Sequence, residues 1–295
     1  MTTTKITKGI VITIILLFSV LRSVAQYTYP EGSRMELLGK SEKFAMSTLF
    51  RNELGNVFLF TDDNVICSVA GSTDSLPFVV RVAEAGDCKN AFFAGKNFIV
   101  DRPKEIVALS QDMNNISQMV REEKLYKYGK RDIKAFFSNS EGFFIVEHKT
   151  DKKSKSIFSQ LSYFDLTNNK VKPILEVDGN INCVSGDTAV MCLGIDSNLV
   201  IISNRQVVVA ATEKEEIITV APSVAGIFYS TSASTYFISE NLLKITIADQ
   251  GAIQLIDNCN TLYMILEDGS LLRLLNTLAF KQYNKESENG QDGDK

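Results

Sequence analysis

Thiol and imidazole chemistry in this chain rests on five cysteines, Cys67, Cys88, Cys183, Cys192 and Cys259, and a single histidine, His148. No Cys-x-x-Cys pair occurs, so neither a redox motif nor a zinc knuckle is indicated. Cys183 and Cys192 flank a hairpin. With Gly186-Asp187 as its turn, Cys183 opposes Val190 and Cys192 is a diagonal neighbour, roughly 7–8 Å away. That is at or beyond disulfide reach. A turn at Asp187-Thr188 would oppose the two cysteines directly. Glycine is the better turn former, so two buried free thiols are expected. His148 has no second histidine for metal ligation and no Gly-x-Ser-x-Gly elbow to serve. A triad needs positioned partners, and the pattern places His148 on the surface beside charged residues.

The acid pairs Asp62-Asp63, Glu215-Glu216 and Glu267-Asp268 read as turn residues. A glycosidase needs opposed carboxylates several Å apart, and neighbours on a strand point to opposite faces. No Asp-x-Asp-x-Asp-Gly calcium loop and no phosphate-binding loop is present. The sequon Asn115-Ile116-Ser117 matters only in a eukaryotic secretory pathway. No residue is therefore assigned as catalytic, cofactor-binding or metal-binding, and no cofactor is expected.

The elements around these residues read as short strands separated by turn signals. Asn56–Phe60, Val65–Val69, Pro77–Val82, Asn90–Ala94, Phe98–Val100 and Glu105–Leu109 begin the series. Ile133–Phe137, Phe143–Glu147, Leu161–Leu166 and Val171–Val177 continue it, and similar runs extend to Ser270–Leu275. Strands at this spacing argue for an all-β sandwich, barrel or propeller. One stretch, Asp112–Leu125, places Met113, Ile116 and Met119/Val120 at a helical spacing; a loop is the alternative. Arg121–Lys134 and His148–Lys155 collect mixed charge and read as solvated loops. Lys152, Lys153 and Lys155 would be the contact residues if the second loop met an acidic partner.

A longer period is also present. NVFLF near 56, KNAFF near 89, IKAFF near 133, NINCV near 180, AGIFY near 225 and NTLYM near 260 recur roughly every 35–47 residues. A four-stranded propeller blade has such a period. The chain resembles the β-propeller superfamily at the level of architecture over roughly Met35–Phe280. It lacks Trp-Asp, Gly-Gly kelch and sialidase-type boxes. The resemblance implies about six four-stranded blades. The last unit is one strand short, and the stretch near 35–50 is expected to supply it and close the ring. A β-sandwich or an irregular β-domain is the alternative.

Lys5 and Lys8 precede an apolar run of about 13 residues, Gly9–Leu21, followed by Ser23-Val24-Ala25. This is the pattern of a secretory signal peptide, too short for the roughly 20 residues of a spanning helix. The expected organisation is a signal peptide at 1–25, one propeller-like domain at 26–283 and a disordered polar tail at 284–295. The alternative is an uncleaved anchor tethering the same domain to a membrane. Cleavage would leave 28 basic against 35 acidic residues, a net charge of −7 instead of −4. Nucleic acid is disfavoured as a partner, since phosphates demand clustered Lys and Arg. Two functions remain as expectations. One is an exported, non-catalytic scaffold, periplasmic or secreted, that binds an unidentified protein or envelope component. The other is an exported hydrolase whose carboxylates meet in the propeller channel.

Overall fold

The computed structural model describes residues 29–52, 54–69, 79–82, 88–112, 115–128, 131–150, 157–204 and 206–284. The expected signal peptide, Lys152, Lys153, Lys155 and all of the tail after Asn284 lie outside them. A strand β1 (Arg34–Lys40) and a short helix α1 (Glu42–Ala45) precede six four-stranded units. Blade 1 is β2 (Thr48–Arg51), β3 (Val57–Phe60), β4 (Val65–Ser68) and β5 (Val79–Val82). Blade 2 is β6 (Asn90–Ala94), β7 (Asn97–Asp101), β8 (Glu105–Asp112) and β9 (Asn115–Lys127). Blade 3 is β10 (Asp132–Asn139), β11 (Gly142–Thr150), β12 (Ile157–Asp165) and β13 (Lys170–Asp178). Blade 4 is β14 (Ile181–Gly186), β15 (Val190–Ile195), β16 (Asn198–Ser203) and β17 (Gln206–Thr212). Blade 5 is β18 (Ile217–Pro222), β19 (Gly226–Thr231), β20 (Thr235–Ser239) and β21 (Lys244–Ala248). Blade 6 is β22 (Ala252–Asn258), β23 (Thr261–Leu266) and β24 (Ser270–Leu275), completed on its outside by β1. A 3-10 helix, Thr277–Asn284, ends the described chain.

The first strands of neighbouring blades touch all the way round, β22 against β2 included, so the ring is closed. This is a six-bladed β-propeller, with the N-terminal strand closing it as expected. The burial pattern follows from the geometry. Each blade packs on a neighbour through both faces, so its inner strands read as continuous apolar runs instead of alternating ones. β3 and the first half of β11 are buried at every position, whereas β13 and β17 are mostly open. One core cluster runs continuously through blades 1 to 3, while Phe144, Leu161 and Leu193 fill the seam between blades 3 and 4, and Cys183, Ile217 and Tyr229 that between blades 4 and 5. Phe280, fully buried, pins the 3-10 helix against Phe228 and Phe237 of blade 5.

Four expectations need correction. Among the described residues of Asp112–Leu125 there is no helix: Asp112 ends β8 and Asn115–Leu125 makes up most of β9, with Leu109 opposite Glu122 and Ser110 opposite Arg121, while residues 113 and 114 lie outside the described residues. Three or four apolar positions are a weak helical signal, and ladder pairing overrides it. The described parts of the two charged stretches are mostly strand, and residues 129–130 and 151–155 lie outside the described residues. Arg121–Lys127 lies in β9, Asp132–Lys134 in β10 and His148–Thr150 in β11. The recurring openings are not in one phase: those near 89, 133 and 180 fall on first strands, those near 56, 225 and 260 on second strands. Both strand types are apolar, so the eye cannot separate them. The Cys183–Cys192 hairpin uses neither expected register. Cys183 opposes Gly194 and Cys192 opposes Ser185, because the Asp187 carboxylate accepts from the Ala189 and Val190 amides and widens the turn. Both thiols are free and buried, as expected.

One seam differs from the rest. β5 and β9, the outer strands of blades 1 and 2, pair in parallel at Arg81–Gln118 and Val82–Met119. The two blades therefore form one eight-stranded sheet.

Candidate functional site

Six first strands enclose a central channel of about 680 Å³. Each presents an unpaired edge towards the axis, a row of amides and carbonyls that would stay unsatisfied. On four of the six strands, side chains from the preceding blade answer some of them. Asn90 Nδ2 donates to the Ala135 carbonyl at 2.8 Å, and Asp101 Oδ2 accepts from the Ala135 amide at 2.8 Å. Ser159 Oγ accepts from the Ile181 amide at 3.0 Å and Ser230 Oγ from the Ala252 amide at 2.7 Å. Thr219 Oγ1 accepts from the Leu255 amide at 3.2 Å. Gln254 clips blade 1 with both ends of its amide, accepting from Leu49 N at 2.5 Å and donating to Ser47 O at 2.6 Å.

Charged groups gather at the two mouths. At one, Lys89 donates to the Ile133 carbonyl, lies 3.6 Å from Asp132 and sits over the Tyr128 ring. Lys134 lines the same end. Asp101, wholly buried, takes the Tyr128 hydroxyl at 2.8 Å on its other oxygen. Burial pushes its carboxyl up to about 6, against the pull of those hydrogen bonds and of Lys89. Burial and the Asp101 charge also push up the Tyr128 hydroxyl, and the neighbouring Cys88 thiol to about 12. At the other mouth Asp257 is pushed up to about 6 by burial, which outweighs the Thr277 hydroxyl and the Arg51 charge.

His148 is not a surface residue. Its side chain is 10% exposed and spans Asp132 Oδ2 through Nδ1 and the Ile181 carbonyl through Nε2, each at 3.1 Å. It is a rivet between blades 3 and 4. Burial acts to raise the Asp132 carboxyl, but the hydrogen bond and charge of His148 prevail and hold it low.

Two hydroxyls donate to carboxylates, Thr277 to Asp257 at 3.2 Å and Ser232 to Glu215 at 2.6 Å. Burial pushes the Cys183 thiol up to about 12 and the Cys192 thiol to about 11, which keeps both as unreactive thiols. Among the described residues no cluster of three His, Cys, Asp or Glu is placed to hold a metal. The acid pairs sit in turns or inter-blade connections. The two raised carboxyls, Asp101 and Asp257, were not singled out by the sequence; each takes its environment from distant strands. Asp101 is fully buried with both oxygens engaged. It does not pair with Asp257 at the opposite mouth.

No protein-family model matches the chain, and no curated protein matches it. Among solved structures, a catalytically inactive virginiamycin B lyase from Staphylococcus aureus, solved with quinupristin, superposes with a TM-score of 0.53 at 7% identity, covering 82% of this chain and 99% of that one. The WD40 β-propeller domain of Doa1 gives 0.47 at 12% identity, covering 77% of each chain. BamB from Moraxella catarrhalis gives 0.44 at 13% identity, covering 77% and 81%. At these identities the likeness is one of fold: the chain has the β-propeller architecture that its strand order already defines.

Proposed function

We propose that this chain is an exported, non-catalytic scaffold that binds another macromolecule through the rims and outer strands of its propeller. The observation that supports it most is the use of the channel's polar groups. Four of them, Asn90, Asp101, Thr219 and Gln254, hold a neighbouring blade's backbone, which supports a role in building the ring. Export rests on the N-terminal sequence. Among the described residues no helix is long and apolar enough to cross a membrane.

The test uses the full chain with a C-terminal tag, recovered from the producing cell's envelope and medium. The expected product begins at Gln26 and retains one partner at fixed stoichiometry in physiological salt. A product beginning at Met1 overturns the cleaved export signal. Recovery without any partner overturns the scaffold.

A further inference from the structure

The channel holds one cation that the ring does not use. Ile133 and Ala135 are fully buried in the core shared by blades 1 to 3. Residues two apart share a strand face, so Lys134 and Phe136 lie on the opposite face of β10, and Phe136 packs there against Cys183 and its neighbours. Both Lys134 and Phe136 line the channel. Burial raises the Cys183 thiol and the Lys134 charge opposes it, so the ammonium stands near β14. Asp132 acts on Lys134 only through space. One of its oxygens lies 3.6 Å from Lys89 and the other takes His148 at 3.1 Å. Among the described residues Lys134 has no ion pair and no hydrogen bond from its side chain. The other two cations on the wall are occupied. Lys89 donates to the Ile133 carbonyl, and the Arg51 charge acts on Asp257 at the far mouth.

Beyond Lys134 the wall is mostly apolar. Phe136, Ile218, Ile253 and Ile256 line it, and each keeps part of its surface open. Ile218 belongs to none of the blade cores. The volume of about 680 Å³ falls within the roughly 300–1,000 Å³ of small-molecule sites, which are apolar cavities with a few fixed polar groups.

We propose that the channel binds an apolar monocarboxylate of the fatty-acid class, its carboxylate on the Lys134 ammonium and its hydrocarbon along Phe136, Ile218, Ile253 and Ile256. A half-buried ammonium without a partner gains a charge-assisted hydrogen bond from a carboxylate. One ammonium beside Asp132 balances a single negative charge, not the nearly two of a phosphate. A cationic head would meet Lys134 as a like charge. The hydrocarbon gains by leaving water for the isoleucine and phenylalanine wall. The site is inside the ring and the scaffold surface is on its rims and outer strands, so neither reading depends on the other.

Isothermal titration of the exported chain with dodecanoate, kept below the concentration at which it forms micelles, tests this. One molecule should bind per chain. Dodecanol and dodecyltrimethylammonium carry the same tail and should bind about tenfold more weakly or worse. Lys134→Gln should weaken dodecanoate binding about tenfold or more, with unchanged circular dichroism, and Lys134→Arg should retain it. Nuclear Overhauser contacts in the wild-type chain, from the ligand methylenes to the Phe136 and Ile218 side chains, locate the ligand without any substitution. No saturable binding of dodecanoate overturns the proposal. Equal binding of the alcohol or the ammonium overturns carboxylate recognition, and a Lys134→Gln chain that binds like the wild type overturns Lys134 as its anchor. Contacts confined to the outer strands overturn the channel as the site.

Discussion

At the scale of single residues, Asp101 and Asp257 set the response to pH. Their folded values near 6 lie above the ordinary 3.8 of a free aspartate. A carboxyl raised on folding lends stability below its unfolded value and loses it as pH climbs through the folded one. About two pH units each corresponds to about 3 kcal/mol per group. Asp165, held low by Lys172 and Asn168, and Asp132, held low by His148, act in the opposite sense and lose their contribution below pH 4. The Tm should rise on acidifying from pH 7 towards 5, then fall below about 4. In the Asp101→Asn, Asp257→Asn double variant the rise should vanish; a steady fall from pH 7 to 5 in the wild type would refute the assignment. Asp101→Ala, by contrast, strands the Ala135 amide and removes one of the two acceptors of the Tyr128 hydroxyl, leaving the Arg102 carbonyl. It should cost about 2–3 kcal/mol in denaturant unfolding. Gly194 is a second sensitive position. A Cβ there would stand 2.7 Å from Cys183 Sγ and 2.9 Å from the Ile217 carbonyl oxygen. Gly194→Ala should destabilise the protein by about 1–3 kcal/mol. All five cysteines are free, so denatured, unreduced protein should show five reactive thiols.

At the scale of elements, β1 is the latch. Leu37 pairs with Leu272 and Met35 with Leu274, and Lys40 meets Asp268 of the β23–β24 turn at 2.5 Å. That turn depends on Gly269, whose φ of 74° leaves no room for a Cβ beside the Ser41 carbonyl. A chain starting at Ser41 would bare the edge of β24. Light scattering should show it associating, and a peptide covering Tyr29–Lys40 should reverse this. Such a latch was legible in the sequence because a count of strands left the last unit one short, near Met35–Leu38. So were the free thiols and the turn positions of the acid pairs. Blade phase was not legible, since first and second strands are equally apolar. Neither was the role of His148, whose acceptors come from Asp132 and from Ile181, 33 residues away. Nor were Asp101 and Asp257, as nothing in a local pattern reveals that a carboxyl will be buried by another blade.

At the scale of the molecule, six similar units are not joined in six similar ways. Five seams are sealed by apolar side chains and clipped by polar ones, such as Gln254 between blades 6 and 1. The seam between blades 1 and 2 has, in addition, the main-chain bonds of β5 and β9. The ring is welded at one joint and buttoned at the others. Pulled by its ends in a force experiment, it should unpeel from the latch and release blades 3 to 6 before blades 1 and 2 part. Those two should give way together, as one event with twice the contour length of a single blade. The propeller is then mechanically a five-piece object, and its stiffest sector is fixed by a pairing of outer strands and not by anything at the channel.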